Sequence, residues 1–382
     1  MCLGMRTRNS AMSRNTHLLF ELIRVTIGRQ KSLSRVPSSV EWQGLYELSL
    51  KHAIAGVNFA GARKLQQKGM MIPPNVYWQW LGLATQVQQC NEVMNAHCVD
   101  ACNRLQQLGF KTCILKGQGI AQLYDSELSM LRQSGDIDMW VDGGMKKALV
   151  WARTNYGDVA FDYINAHIPM FQETEVELHW RVSYMNNLMR NRKLQKWIEN
   201  HKEELQNTMK EMPNGVGSIP VPSIVFNRFY ILLHCYDHIF SEGLGLRQIM
   251  DLYFVLAQNK LDNTKEEDFR IFFLDCLGLR KFASAMMWIM GYVFGLERDK
   301  MLCEPDEKEG KFILNEVMQN GNMGHHDHRI KRVSKNVKVQ SVAANIQHTW
   351  HLATHYPSEF LWTPVWIVWH YVWKRTAAKC SF

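Results

Sequence analysis

The chain has 382 residues, 46% of them hydrophobic and 21% charged, which supplies a buried core and more than one domain. With only 24 glycines and 10 prolines, that balance excludes a disordered, collagen-like or low-complexity chain. The formal charge of +8 favours anionic partners (nucleotides, nucleic acid, acidic lipid) without choosing among them.

Residues 1–36 read as a basic lead-in, carrying Arg6, Arg8 and Arg14 and one helical segment. The apolar stretch from Leu18 to Ile27 is broken by Glu21 and Arg24, so no signal-peptide core forms. No run of about 20 apolar residues occurs, which argues against an integral membrane span. Residues 37–109 form an N-terminal helical region. There Trp42, Leu45, Tyr46, Ser49, Leu50 and Ala53 recur at helical spacing. Pro73-Pro74 closes a loop, and a long helix is expected from about Val76 to Leu108, stopped by Gly109.

The texture changes over residues 110–185. Thr112–Leu115 suits a buried strand, Lys116-Gly117-Gln118-Gly119 a turn, and Ile120–Tyr124 the start of a helix. Asp136–Val141 alternates polar and apolar residues as a half-buried strand does. Gly143-Gly144 leads into a helix to about Thr154, and strands are expected at Val159–Tyr163, Ile168–Gln172 and Val176–Val182. Residues 186–382 return to helices, at 188–206, 223–240, 246–257, 266–277, 280–294 and 306–319, with a loop at Gly215–Pro222. The fold class is therefore α+β: a small mixed β-sheet with flanking helices, between N-terminal and C-terminal helical regions. Nine cysteines at irregular spacing, with no CxxC, read as reduced thiols in a cytoplasmic protein.

Asp136 and Asp138 stand at i and i+2 on an expected strand, so both carboxylates share one face, about 6.6 Å apart along it. Paired carboxylates repel unless a cation lies between them, and Mg²⁺ suits such hard oxygen ligands. Gly117 and Gly119 let the backbone approach a ligand closely. A helix opening after them would offer unpaired N–H groups to a triphosphate. Lys116 and Arg132 are candidate phosphate partners. In Val176-Glu177-Leu178-His179-Trp180, Glu177 and His179 share a face. If that strand lies beside the Asp136 strand, Glu177 completes an acidic triad able to hold two metal ions for in-line nucleotidyl displacement.

The run ILKG…LY…LR…GDIDMWV followed by VELHW resembles the uncharacterised nucleotidyltransferase family of the DNA polymerase beta-like superfamily. His234, His238, Glu242–Gln248, Asp251 and Gly321–Asp327 carry the likeness downstream. The resemblance implies a nucleotidyltransferase fold in which Gly117 seats the triphosphate, Asp136 and Asp138 bind Mg²⁺ (or Mn²⁺), and Glu177 joins the metals or acts as base. The turn here reads Lys-Gly-Gln-Gly, where the superfamily has Gly-Gly or Gly-Ser directly after the strand.

His234 and His238 share a helical face and, with Arg247 and Asp251, are expected to line the wall facing nucleotide or acceptor, unless they form a plain helix–helix contact. Cys98 and Cys102 read as buried helix thiols, and His325–His328 as a solvated turn. Trp350, Trp362, Trp366, Trp369 and Trp373, followed by Lys374, Arg375 and Lys379, favour a last helix packed on the body over contact with a membrane surface. Pro357 and Pro364 limit that helix. The expected activity is Mg²⁺-dependent transfer of a nucleoside monophosphate from an NTP, ATP among the candidates, to an acceptor hydroxyl of a sugar, small molecule, protein or RNA. The alternative is an inactive nucleotide-binding or protein-interaction module on the same fold.

Overall fold

The structure, a computed structural model, describes residues 14–206, 208–259, 263–322, 347 and 350–380. Four helices open it: α1 (Arg14–Thr26), α2 (Ser39–Lys51), α3 (Ala55–Gln67) and α4 (Pro74–Gln107). The helical part of the basic lead-in is α1, and it is not peripheral. Leu18, Leu19, Phe20, Leu22, Ile23 and Val25 are buried. Helix α2 begins at a capping box, in which Ser38 Oγ accepts from the Glu41 N–H and Glu41 Oε2 accepts from the Ser38 N–H.

The sheet region follows as β1 (Thr112–Ile114), α5 (Gln118–Ala121), α6 (Ser126–Leu131), β2 (Ile137–Val141), α7 (Gly144–Tyr156), β3 (Asn165–Ile168) and β4 (Val176–His179). The strand order is β1-β2-β4-β3, with β2 and β4 parallel and the other pairs antiparallel. Three expected strands change, the one expected at Val176–Val182 ending at His179. Val159–Tyr163 makes only the Phe161–Ala166 bridge. The strand expected at Ile168–Gln172 lies instead at Asn165–Ile168, because Pro169 has no N–H to continue the ladder.

Beyond it come α8 (Leu188–Asn200), a hairpin of β5 (Thr208–Glu211) and β6 (Ser218–Val221), α9 (Ile224–Phe240), α10 (Leu246–Ala257), α11 (Asn263–Arg270), α12 (Arg280–Ile289), α13 (Glu307–Asn320) and α14 (Pro357–Cys380). The hairpin corrects the expected loop: Pro220 pairs opposite Met209 in a two-stranded ribbon, where a missing ladder hydrogen bond is tolerated. Pro364 does not end α14, which continues through it. Among the described residues no helix is long and apolar enough to cross a membrane. Cys90, Cys98, Cys102, Cys113, Cys235, Cys276 and Cys303 are free thiols, with Cys98 and Cys102 buried on α4.

Two cores meet at the sheet. Ile137, Met139, Val141, Ala166, Ile168, Val176 and Leu178 point to one face and pack with Cys98, Cys102 and Leu105 of α4 and Ala148, Leu149 and Ala152 of α7. On the other face Cys113 and Trp140 join the large helical core. Farther along the strands the helices stand off, and the polar positions of that face look into a cleft.

Candidate active site

The cleft has a volume of about 1480 Å³ and is floored by the polar face of β2 and β4. Asp138 and Glu177 are register partners across these parallel strands, and His167 lies opposite Glu177 on β3. The period-two alternation that buries Ile137 and Met139 aims Asp138 into the cleft. Asp136 lies one residue before β2 and lines the same cleft.

A polar network ties the floor together. Lys116 follows β1, whose ladder extends through the Leu115 N–H donating to the Asp138 carbonyl at 2.9 Å. This brings Lys116 Nζ to 2.7 Å from Asp138 Oδ1. His179 Nε2 lies 3.0 Å from the same oxygen and 3.1 Å from Glu177 Oε2. Asn165 Nδ2 donates to Glu177 Oε2 at 2.5 Å.

Burial alone would raise Asp138, but the Lys116 ammonium and the His179 hydrogen bond outweigh it and hold the carboxyl below the usual range. Burial likewise acts against Glu177, and its His179 contact leaves it lowered. His179 is buried, which disfavours its charge, yet the two carboxylates raise it to about 9. Asp136 moves the other way. The Asp138 charge, then burial, push it up to about 6.

The ligand atoms of Asp138, Glu177 and His179 lie within 4.8 Å of one another. The expected trio was Asp136, Asp138 and Glu177; the structure adds His179 beside the last two and keeps Asp136 in the same cleft. The donor set fits a divalent cation: hard carboxylate oxygens dominate, and Asp136 carries a charge that its neighbour opposes.

The phosphate candidates separate. Gly117 lines the cleft at φ +54°, and a side chain there would be strained. Gly119 serves packing: a Cβ would lie 2.7 Å from the Ile114 carbonyl oxygen and 3.3 Å from Val221. Helix α5 behind them is a single four-residue turn. Arg132 is buried against Asp251, Nε to Oδ1 at 2.8 Å and Nη2 to Oδ2 at 2.7 Å, and Tyr124 Oη also donates to Asp251 at 2.7 Å. Its buried Nη1 has no hydrogen-bond partner among the described residues. Arg247 donates Nη1 to the Gln133 carbonyl at 3.1 Å, while its Nε has no partner among the described residues.

His234 and His238 line the cleft from α9, their rings edge to face with centroids 4.3 Å apart. Burial and then Lys116 drive both down, His238 to about 3, so both are neutral. Arg247 and Asp251 also line the cleft, from α10. The turn expected at His325–His328 lies outside the described residues.

Sequence reasoning passed over Asn165, Tyr163, Tyr184 and the wall formed by α14. Trp366, His370, Tyr371, Lys374 and Arg375 of α14 line the cleft. Trp366, Trp369 and Trp373 each meet the Tyr163 ring edge-on, with centroids 5.1–5.4 Å apart. His370 Nε2 lies 2.5 Å from Asp162 Oδ1. The aromatic spacing of three and four residues was the available signal; its target on the far side of β3 was not.

No curated protein and no solved structure matches the chain. A family model does, and its span runs from the start of α2, through the carboxylate-bearing strands, to α9, α10 and α12. Matched over residues 38–295, more than half its length, the chain belongs to the uncharacterised nucleotidyltransferase family.

Proposed function

We propose that the protein transfers a nucleoside monophosphate from a nucleoside triphosphate to an acceptor hydroxyl, with release of pyrophosphate. The observation that carries this reading is the pairing of Asp138 with Glu177 across parallel strands, at the floor of a cleft that Asp136 also lines. Asp136, Asp138 and Glu177, with His179 beside them, would hold one or two Mg²⁺ ions, or Mn²⁺. When bound, the metal supplies charge neutralisation at the phosphates.

The chain's own groups have separable tasks. Gly117 leaves room for the triphosphate to pass close to the backbone. Arg247 Nε and Arg132 Nη1 are buried donors free to meet phosphate oxygens. His179 fixes the orientation of both carboxylates through one ring nitrogen. Glu177 accepts the proton of the acceptor hydroxyl if it is not taken up as a metal ligand. Positioning and charge neutralisation account for such a reaction without a covalent enzyme intermediate. The candidate acceptors are hydroxyls of a sugar, a small molecule, a protein or RNA.

One observation favours the second reading, a module that binds nucleotide without turnover. Asp138 Oδ1 already receives both Lys116 and His179, so the carboxylate is neutralised from within the chain. Incubating the protein with each labelled NTP, Mg²⁺ and a cell extract separates the two. Label on an acceptor and release of pyrophosphate, both lost by at least about 100-fold in Asp138→Ala with the fold retained, support transfer. Mg²⁺–NTP binding without pyrophosphate release from any NTP supports the module.

A further inference from the structure

Helix α14 is apolar on both of its long faces. The inward face is used: Trp366 is buried against Tyr163 and stacks on Tyr184 at 4.7 Å. The outward face carries Leu361, Val365, Val368 and Val372 at successive helical steps, and these are 65%, 45%, 65% and 56% exposed. Tyr371 is exposed beside them, and exposed Trp350 meets Phe360 edge-on near the start of the row. At 1.5 Å per residue the row is about 17 Å long. Soluble surfaces scatter such residues singly, whereas a continuous row marks a contact surface.

We infer that this row docks the protein on an anionic membrane surface, with α14 lying in the plane of the interface. Charge selects that occupant. From Leu361 to the end of the sequence there is no Asp or Glu, while Lys374, Arg375 and Lys379 follow the row directly. Lys374 and Arg375 are exposed, and Arg375 lies over the Tyr371 ring at 4.2 Å. Apolar side chains flanked by cations and interfacial aromatics match the boundary between acyl chains and acidic headgroups. A second copy laid on the same row would bring Lys374 and Arg375 of both helices together, and the neighbouring carboxylate of Asp162 is already engaged by His370 and Lys374 of its own chain. The helix lies on the surface and does not cross it, because its other face is occupied by the protein's own aromatic cluster and it lacks a spanning apolar length.

This arrangement has a geometric corollary. Tyr371, Lys374 and Arg375 border both the row and the cleft, so docking sets the cleft mouth at the headgroup layer. The proposal is independent of nucleotide transfer and is tested without it. Full-length protein is sedimented with vesicles of phosphatidylcholine alone and of phosphatidylcholine containing phosphatidylglycerol. The expected result is pelleting with the mixed vesicles, weakened by added salt, and at least about tenfold weaker binding for Val368→Glu with Val372→Glu. The milder pair Val368→Ala with Val372→Ala, and Val365→Glu at the other end of the row, guard against a folding artefact, checked by circular dichroism. Failure of the wild type to pellet, or equal pelleting of wild type and variants, overturns the proposal. So does a dimer by light scattering that Val368→Glu dissociates, which assigns the row to a second copy.

Discussion

Arg132 and Asp251 close a two-pronged ion pair, 2.8 and 2.7 Å, that pins the loop before β2 to α10. Asp251 is shared with the Tyr124 hydroxyl, so two buried groups depend on one carboxylate. Asp251→Ala leaves the Arg132 charge buried and unanswered and is expected to cost about 3–5 kcal/mol, read from urea unfolding. Replacing both partners with apolar residues, Arg132→Met with Asp251→Leu, is expected to cost less than the single change. A double variant worse than Asp251→Ala would show that the pair is not what the loop rests on.

Asp136 is held at a cost. Its carboxyl is pushed up to about 6 from 3.8, first by the Asp138 charge and then by burial, so ionising it above pH 6 works against the metal-free fold. Asp136→Asn is expected to stabilise metal-free protein at pH 8 by roughly 1–2 kcal/mol while reducing transfer at least about 100-fold. Mg²⁺ is expected to raise the wild-type Tm and to do so less in Asp136→Asn. A variant that loses stability at pH 8 without metal would contradict the charge opposition described here.

The histidines of the cleft act on opposite limbs of the stability curve. The folded-state value of His179 is about 9 against 6.5 unfolded, so its contribution is fully present below pH 6.5 and lost as pH rises through 9. His238 is displaced downward to about 3, so its contribution is present above pH 6.5 and lost as pH falls toward 3. Each group sets a slope of at most about 1.4 kcal/mol per pH unit within its window. In metal-free protein His179→Asn is expected to be destabilised most near pH 6 and to approach wild type above pH 9. His238→Asn is expected to flatten the acid limb. Parallel pH curves for wild type and either variant would refute the corresponding assignment.

Gly119 tests packing against phosphate contact. Its missing Cβ faces the Ile114 carbonyl at 2.7 Å, so Gly119→Ala is expected to cost about 1–3 kcal/mol by forcing the turn away from β1. A variant of unchanged stability that instead loses nucleotide affinity would return Gly119 to the ligand.

Legibility in the sequence followed periodicity. The carboxylate face of β2 and β4 could be read because alternation fixes which residues share a face, and the family resemblance drew on the same runs. The neighbour relation between β2 and β4 could be stated only as a condition, since a parallel pair is joined through distant crossover segments. The β5–β6 hairpin was hidden by its prolines, and the β3 boundary by an apolar run continuing past Pro169. Among site residues, His179 was visible as a neighbour of Glu177 on the strand face, but not as the group bridging both carboxylates. Asn165 had no local signal: it matters only because register sets it opposite His179. Arg132 showed its charge and concealed its partner, which stands more than a hundred residues away.

The wall supplied by α14 begins at Pro357, well past residue 295, where the family match ends. The carboxylates of the proposed metal site and the α14 wall of the cleft are thereby carried by different stretches of polypeptide. On the proposed reading, replacing that helix would reshape one side of the cavity while leaving Asp136, Asp138 and Glu177 in place, so acceptor selection could change without any change in the acidic floor.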